Sequence, residues 1–356
     1  MGNGVSFYRP TRDMMMAANA AMLGGGAPMY SGYSARGVFR GKAQDAVFSG
    51  MAYLTGELEK VDPKVREPLS SVTWQRDISA KTGGGWVDYT STFDVDFGTT
   101  GPNDQSIISG SSNTVPVMQV NTSKNLFKVF TWGHMMQISF IDQAKVKQIG
   151  RSLEDLINKG IRLNYNKTLD QNVYKGFTRL GTTGLLNDAN VVVTTAAKGA
   201  SGKLAWATKT PDEILQDINQ ALVDAWIASE YDLDGMPNHI LVPPSQYAYL
   251  VKQKVSEAGN ISVLNYLLEN NIAKNQGRDI IIEPCRWCIK AGSGGTDRML
   301  VYVNDEDKVN FDITVPINRM ATDIDLRATA YLTLYVAQIG QVKFNYYQPV
   351  RYVDGI

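Results

Sequence analysis

The sequence predicts an α+β fold in which an extended N-terminal arm leads into a projecting β-ribbon, one over-long helix and a separate α/β lobe. Three observations lead there. Apolar and polar residues alternate in long runs between Val72 and Phe140. Apolar residues then recur in steps of three and four from Asp142 to Phe177, the helical period. Beyond Thr210 short helix and strand patterns succeed one another, each with its own start and stop signal. At 356 residues the chain exceeds one ordinary domain, and two subdomains around shared cores are expected.

The first seventy or so residues are rich in Gly, Ala, Met and Ser, and read as an arm with one short helix near Gln44 to Glu59. The run Met14-Met15-Met16 suits adaptive packing on a surface, with a mobile terminus as the plainer alternative. The opening segment is not a secretory signal, because Asn19 interrupts its apolar patch. "MGNGVS" matches the short myristoylation pattern with Ser6, which arises easily by chance.

From Val72, "SVTWQRDIS" and "WVDYTSTFDVDFG" alternate on either side of Gly83-Gly84-Gly85 and predict a two-stranded ribbon turning at those glycines. Such a ribbon is marginal alone in water and needs a surface to lie on. A Gly/Ser/Asn-rich connection follows, then the strands of "VPVMQVNTSKNLFKVFTWGHMMQISF". The helical stretch carries Val146, Ile149, Leu153, Leu156, Ile157, Ile161, Tyr165, Leu169, Val173 and Phe177 on its apolar side. As one rod it would be roughly 50 Å long, with a bend or break at Gly150 or Gly160. In "YKGFTRLGTTGLLND" the glycines at 176, 181 and 184 allow a tight exit with φ > 0, Leu185 and Leu186 anchor it, and Asn187 caps it.

Thr210, Pro211 and Glu213 form a capping box with proline at the first helical position, and Ile214, Ile218, Leu222 and Trp226 the buried stripe behind it. "HILVPPSQYAYLVKQ" predicts a strand, a Pro-Pro turn and a helix begun by Ser245. "ISVLNYLLENN" is a short helix, "GRDIIIEP" a buried strand, and "DRMLVYVNDED" a strand ending in an acidic turn. The aromatic and β-branched C-terminus is strand.

Chemistry is hard to find. Formal net charge is zero, whereas binding nucleic acid through phosphates favours a basic excess. No run is apolar enough to span a bilayer. His134 and His239 are the only histidines, neither lies beside a nucleophile motif, and both are taken as structural or surface residues. Cys285 and Cys288 form a C-x-x-C pair; free structural thiols are the first reading, with a redox pair or half a zinc site as alternatives. "ASGKLAW" fails the phosphate-loop spacing, and "AGSGGTD" precedes a strand, the wrong order for a dinucleotide site. Asp305-Glu306-Asp307 is a solvated turn, with calcium as a minor alternative. "KFNYYQPVRY" is strand before it is a nucleic-acid contact. The expectation is no enzyme, no cofactor and no metal.

The order of segments resembles the major capsid proteins of tailed bacteriophages, whose fold encapsulin nanocompartments share. The likeness rests on "KVDPKVREPLSSVTWQRDI", on the long helix followed by "GTTGLLN", on "HILVPPSQYAYLV", and on "NQGRDIIIEP" and "DRMLVYVND", and runs from about residue 55 to 340. It implies an N-terminal arm over 1–71, an extended β-hairpin loop with return strands over 72–140, and a peripheral domain with the spine helix over 141–200. An axial α/β domain over 201–310 follows, and strands over 311–356 return to the peripheral domain. It implies assembly: many copies of the chain forming hexamers and pentamers of an icosahedral shell around phage double-stranded DNA. The ribbon then lies across a neighbouring copy through Trp74, Trp86, Tyr89 and Phe93, with Lys81 near its turn. Some members crosslink lysine to asparagine, but no partner for Lys81 is identifiable and that chemistry is not carried over. Separate scaffolding, portal and decoration proteins are implied partners, packaged DNA is touched only weakly and non-specifically, and no membrane is involved. The implied location is the virion, with assembly in the host bacterial cytoplasm. A nanocompartment with protein cargo is the alternative, and a redox enzyme using Cys285 and Cys288 stands behind it.

Overall fold

The computed structural model describes residues 71–100, 116–148, 153–255 and 260–356. These fall in the second of two compact units, Ser70–Ile356. The expected arm, its helix near Gln44 to Glu59, the methionine run and most of the Gly/Ser/Asn-rich connection lie outside the described residues.

The described chain begins with a helical turn α1 (Trp74–Asp77) and the short strand β1 (Ser79–Thr82). The strands β2 (Tyr89–Thr99), β3 (Met118–Lys128) and β4 (Phe130–Ser139) follow. Then come α2 (Phe140–Gln148), α3 (Leu153–Lys175) and β5 (Val192–Thr195). The lobe comprises α4 (Pro211–Ala228), β6 (His239–Val242), α5 (Pro244–Lys252), α6 (Val263–Glu269), α7 (Ile272–Asn275), β7 (Ile281–Pro284) and β8 (Arg298–Tyr302). The chain closes with β9 (Val309–Ile313), β10 (Val315–Asp325), β11 (Ala330–Ile339), β12 (Val342–Phe344) and β13 (Arg351–Asp354).

A five-stranded sheet ordered β5-β13-β8-β6-β7 divides the interior. Its inner strands are buried on both faces, and alternate residues serve two cores. Leu241, Leu300, Tyr302 and Tyr352 face a core shared with Tyr165, Leu169, Val173 and Tyr174 of α3 and with Phe311, Ile313, Val342 and Phe344. Ile240, Val242, Met299, Val301 and Val353 face a second core, closed by Ile214, Ile218 and Leu222 of α4, Leu250 of α5, and Val263 and Leu267 of α6. A three-stranded sheet, β1-β9-β12, belongs to the first core, and an antiparallel sheet, β10-β11-β4, packs on α3 through Met136, Ile138, Ile161 and Tyr335.

Many local expectations hold. Thr210 Oγ1 accepts from Glu213 N while the Glu213 carboxylate accepts from Thr210 N, so two orphan donors at the start of α4 are satisfied. The helix after β6 begins at Pro244, one residue earlier than the Ser245 start, with Pro243 at the N-cap position. The rod expected from Asp142 to Phe177 is described in two parts, α2 and α3; residues 149–152 between them, Gly150 included, lie outside the described residues. Gly160 sits inside α3, whose 23 residues span roughly 35 Å. The final strand, β13, lies inside the large sheet with one face toward the core shared with α3. Tyr352 and Val353 face different cores, and a strand buried on both sides belongs inside the large sheet.

The end of α3 is built as the glycines suggest, with one difference. Gly176 and Gly181 have φ of 65° and 71°, but Gly184 is not left-handed; it is needed because its backbone touches Tyr174 and Lys175. Leu185 N and Leu186 N donate to Val173 O (2.8 Å) and Tyr174 O (3.1 Å), and Asn187 Nδ2 donates to Lys175 O (2.8 Å). The returning chain thus satisfies the last carbonyls of the helix, and Leu185 and Leu186 are fully buried.

Two buried aspartates tie this assembly together. Asp170 on α3 accepts from Thr73 N (2.9 Å) and Trp74 N (3.1 Å), which caps α1, and from Arg286 (2.9 Å) and Trp287 Nε1 (2.7 Å). "SVTWQRDIS" therefore turns helical at Trp74; over so short a stretch helical and strand periods both fit Trp74 and Ile78. Asp77 accepts from Arg76 Nε (2.6 Å) and Tyr174 Oη and lies 3.4 Å from His239 Nε2. Burial alone would raise the Asp77 pKa, but hydrogen bonds with His239, Arg76 and Tyr174, with the Arg76 charge, outweigh it and hold it below the usual value. Asp354, paired with Arg298, is lowered in the same way despite its burial. A carboxylate lowered on folding stabilises the fold above its unfolded pKa and loses that contribution as pH falls through the folded one. Thermal melts should thus show a midpoint insensitive to these two groups above about pH 5 and falling below about pH 4, with a shallower acid fall in Asp77→Asn.

Candidate interaction surface

β2 and β3 form a two-stranded ribbon paired from Tyr89↔Lys128 to Thr99↔Met118. Cross-strand partners share a face. Tyr89, Phe93, Val95 and Phe97 therefore lie with Leu126, Val120 and Met118 on one side, together with Lys124 and Lys128 opposite Phe93 and Tyr89. The other side carries Thr90, Thr92, Asp94 and Asp96 opposite Phe127, Asn125, Ser123 and Asn121. The apolar side is uncovered: Phe93 is 70 % exposed, Phe97 66 % and Met118 64 %. The polar side looks after itself, for example through Asn125 Nδ2 donating to Asp94 Oδ2 (2.5 Å). Lys124 lies over the Phe93 ring at 5.5 Å on this apolar face, and an amphipathic ribbon so exposed is a surface waiting for protein.

The root of the ribbon is lightly held. Gly83, Gly84 and Gly85 have φ of 117°, 107° and 74°; a Cβ would meet nothing within 4 Å at Gly83 and Gly85 and only the Thr314 methyl at 3.9 Å at Gly84, so they are required by backbone conformation and not by crowding. Just beyond, the Gln338 side-chain amide accepts from Val87 N and donates to Val87 O, both at 3.1 Å, mimicking a strand neighbour. Lys343 sits over the Phe127 ring at 5.2 Å on the return strand.

The sequence-derived contact residues divide here. Tyr89 and Phe93 lie on the apolar face, and Trp86 is exposed beside the root. Trp74 is corrected: it is 4 % exposed, in edge contact with Phe311, and belongs to this chain's own core. Lys81 is also corrected. It sits on β1 in the body, 3.6 Å from Glu306, because β1 pairs in parallel with β9 and not with β2. The glycines at 83–85 release the chain from β1 instead of turning a hairpin, and the hairpin partner of β2 is β3. Val95, Phe97, Met118, Val120 and Leu126 complete the face. Their period-two spacing was visible, but the pairing that unites them was not. A smaller apolar area lies on β4 and β11, where Met135 and Leu334 are exposed cross-strand neighbours.

Cys285 and Cys288 are free thiols, fully buried, and burial pushes the Cys288 thiol well up, assisted by its neighbour Cys285. A protonated, inaccessible thiol is a poor nucleophile. Alanine at both positions should leave particle yield unchanged while lowering the melting temperature, read by microscopy and calorimetry. Among the described residues no group of His, Cys, Asp and Glu is placed to hold a metal ion, and no helix is long and apolar enough to cross a membrane. His134 is exposed and stacked on Trp132, and Asp305 Oδ1 accepts from Asp307 N within its acidic turn.

A family model described as "Major capsid protein" matches residues 104–356. The fold is similar to the capsid of Myoviridae phage XM1, at 18 % identity and a TM-score of 0.70 over 84 % of this chain and 97 % of that one. It is similar to the capsid of the native GTA particle, at 9 % identity and 0.57 over 83 % and 94 %. The mature capsid of bacteriophage PhiM1 matches at 12 % and 0.53 over 83 % and 91 %. At such identities the likeness is one of fold. Comparison with curated proteins found no match.

Proposed function

This chain belongs to the major capsid protein family and has the phage capsid fold, and from that premise we propose that its ribbon closes a shell by lying apolar face down on a neighbouring copy. The observation that carries this reading is the uncovered face of Tyr89, Phe93, Val95, Phe97, Met118, Val120 and Leu126. A folded chain that leaves such a face to water gains from burying it, at about 1.5–3 kcal/mol for each large apolar side chain fully covered. The contact is head-to-tail, because a ribbon and a docking surface differ, and head-to-tail contacts that close generate rings and shells. Met135 and Leu334 offer an apolar place for it to land. Trp86, Tyr89 and Phe93 remain proposed contacts; Trp74 does not.

In this reading α3 and the β10-β11-β4 sheet are the peripheral domain, the helices and strands from α4 to β8 the axial domain, and residues 1–71 the arm. The product is the icosahedral wall of a tailed-phage virion around double-stranded DNA, assembled in the host cytoplasm with separate scaffolding and portal proteins. The role is structural, without catalysis. The nanocompartment alternative has no observation of its own in its favour.

Negative-stain microscopy of the purified full-length chain, alone and with candidate scaffold proteins, tests the reading. Closed particles or rings are expected. Stable monomers under every buffer and with every scaffold would overturn it.

A further inference from the structure

Past its first turn, where Glu154 and Asp155 open the helix, the solvent side of α3 carries charge of one sign. Lys159, Lys167 and Lys175 fall on a single i, i+4 ridge, and Arg179 continues that spacing into the turn beyond the helix. All four are exposed, as is Arg162 beside the ridge. The ridge lies opposite the buried row Ile161, Tyr165, Leu169 and Val173. At 1.5 Å per residue its lysines recur about every 12 Å along the axis. Between residues 156 and 187 the only acidic residue is Asp170. It is buried and occupied by the Thr73 and Trp74 amides, Arg286 and Trp287. At the C-terminal end Lys175 and Arg286 lie over the Trp287 ring, at 5.1 and 4.5 Å.

Asp155 stands one i, i+4 step before Lys159; beyond it signs do not alternate along this face as they do on a helix that pairs with itself. Nor is this the average of the chain, whose net charge is zero. Residues 201–310 hold ten basic and fifteen acidic side chains, whereas α3 and its exit turn, residues 153–187, hold five basic and three acidic, the latter being Glu154 and Asp155 of the first turn and the buried Asp170. The neutral total conceals a separation: an acidic lobe, and a basic ridge along the helix.

We propose that the basic ridge on α3 is the surface by which this chain meets a nucleic-acid backbone. The inference rests on the shell reading, which supplies a polyanion to enclose, and adds which surface faces it. A row of flexible cations with no base-reading groups suits phosphates in any sequence, binding that is weak per subunit and strongly dependent on salt. Repeated in every copy, it would orient a neutral wall toward its cargo without gripping it.

The test compares two charge-matched variants of the full-length chain. One removes ridge cations, Arg162→Gln, Lys167→Gln and Arg179→Gln. The other removes exposed lysines of the lobe, Lys203→Gln, Lys252→Gln and Lys254→Gln. Binding to a fluorescent mixed-sequence DNA duplex is followed by anisotropy across a salt series, with melting temperature and particle formation scored in parallel. The ridge variant should melt as wild type and bind at least about tenfold more weakly at low salt. Its log K against log salt should be flatter by up to about 3, while the lobe variant stays within about twofold of wild type. Equal weakening in both variants, or no salt-dependent binding by the wild type, overturns the proposal. So does a ridge variant that binds DNA normally but no longer forms particles, since the ridge would then be a contact between copies. Wild-type particles with unchanged DNA binding in the ridge variant would sink only this inference; absence of wild-type particles would sink the shell reading itself.

Discussion

A Phe93→Asp/Phe97→Asp chain is expected to fold normally and form no particles. Both rings are mostly exposed, at 70 % and 66 %, so the isolated subunit loses almost nothing, and its stability should stay within about 0.5 kcal/mol of wild type. In the assembled state the same substitution removes two apolar anchors, each worth about 1.5–3 kcal/mol when covered. It also places two carboxylates in an apolar contact with no partner provided, adding further cost. Every ribbon in a shell repeats the defect. Thr92→Ala and Asn121→Ala on the opposite face serve as controls and should assemble. Circular dichroism and melting curves check the fold, and sedimentation with negative stain checks the product. Wild-type particle yield from the double variant would show that the apolar face is not the contact.

Gly184→Ala should act on the opposite quantity, destabilising the subunit before assembly begins. A Cβ there would lie 2.5 Å from the Tyr174 carbonyl carbon, 2.6 Å from Lys175 N and 2.7 Å from Tyr174 O. All three are backbone atoms at the end of α3, so no rotamer change relieves the overlap. Moving the turn away breaks the bonds of Leu185 N and Leu186 N to Val173 and Tyr174 and lifts two fully buried leucines. A loss of about 3 kcal/mol or more is expected, recovered as insoluble chain or a reduced denaturation midpoint. Gly181→Ala is the contrast: its φ is 71° but nothing lies within 4 Å, so the loss should be only the left-handed backbone penalty of about 1–2 kcal/mol. Denaturant titration ranks the two, and equal losses would refute the close-approach argument.

The same division between local and distant physics explains what could be read in advance. The Thr210 capping box, the Ile214-Ile218-Leu222 stripe and the row Ile161-Tyr165-Leu169-Val173 were legible because each is a contact between residues a few positions apart. The turn at "GLLN" was legible for the same reason, although the need for Gly184 was assigned to its φ and proved to be proximity. Asp170 and Asp77 were not legible: a buried carboxylate looks like any surface one until its distant partners are in place, and apart from Arg76 beside Asp77 these lie more than ninety residues away. The basic ridge on α3 was hidden by a neutral total.

The amino-acid sequence by itself determined where helices begin and stop, which stripe of each is apolar, that a long ribbon exists, and that the segments succeed one another in the order of a capsid subunit. Only the tertiary structure decided that β1 pairs with β9 and leaves β2 to β3, that Trp74 turns inward, and that one face of the ribbon has no cover. The reason is that strand pairing is made by backbone groups common to every residue. Alternation announces two faces and a free edge, but which distant strand takes the edge, and whether anything covers a face, depends on how the whole chain packs.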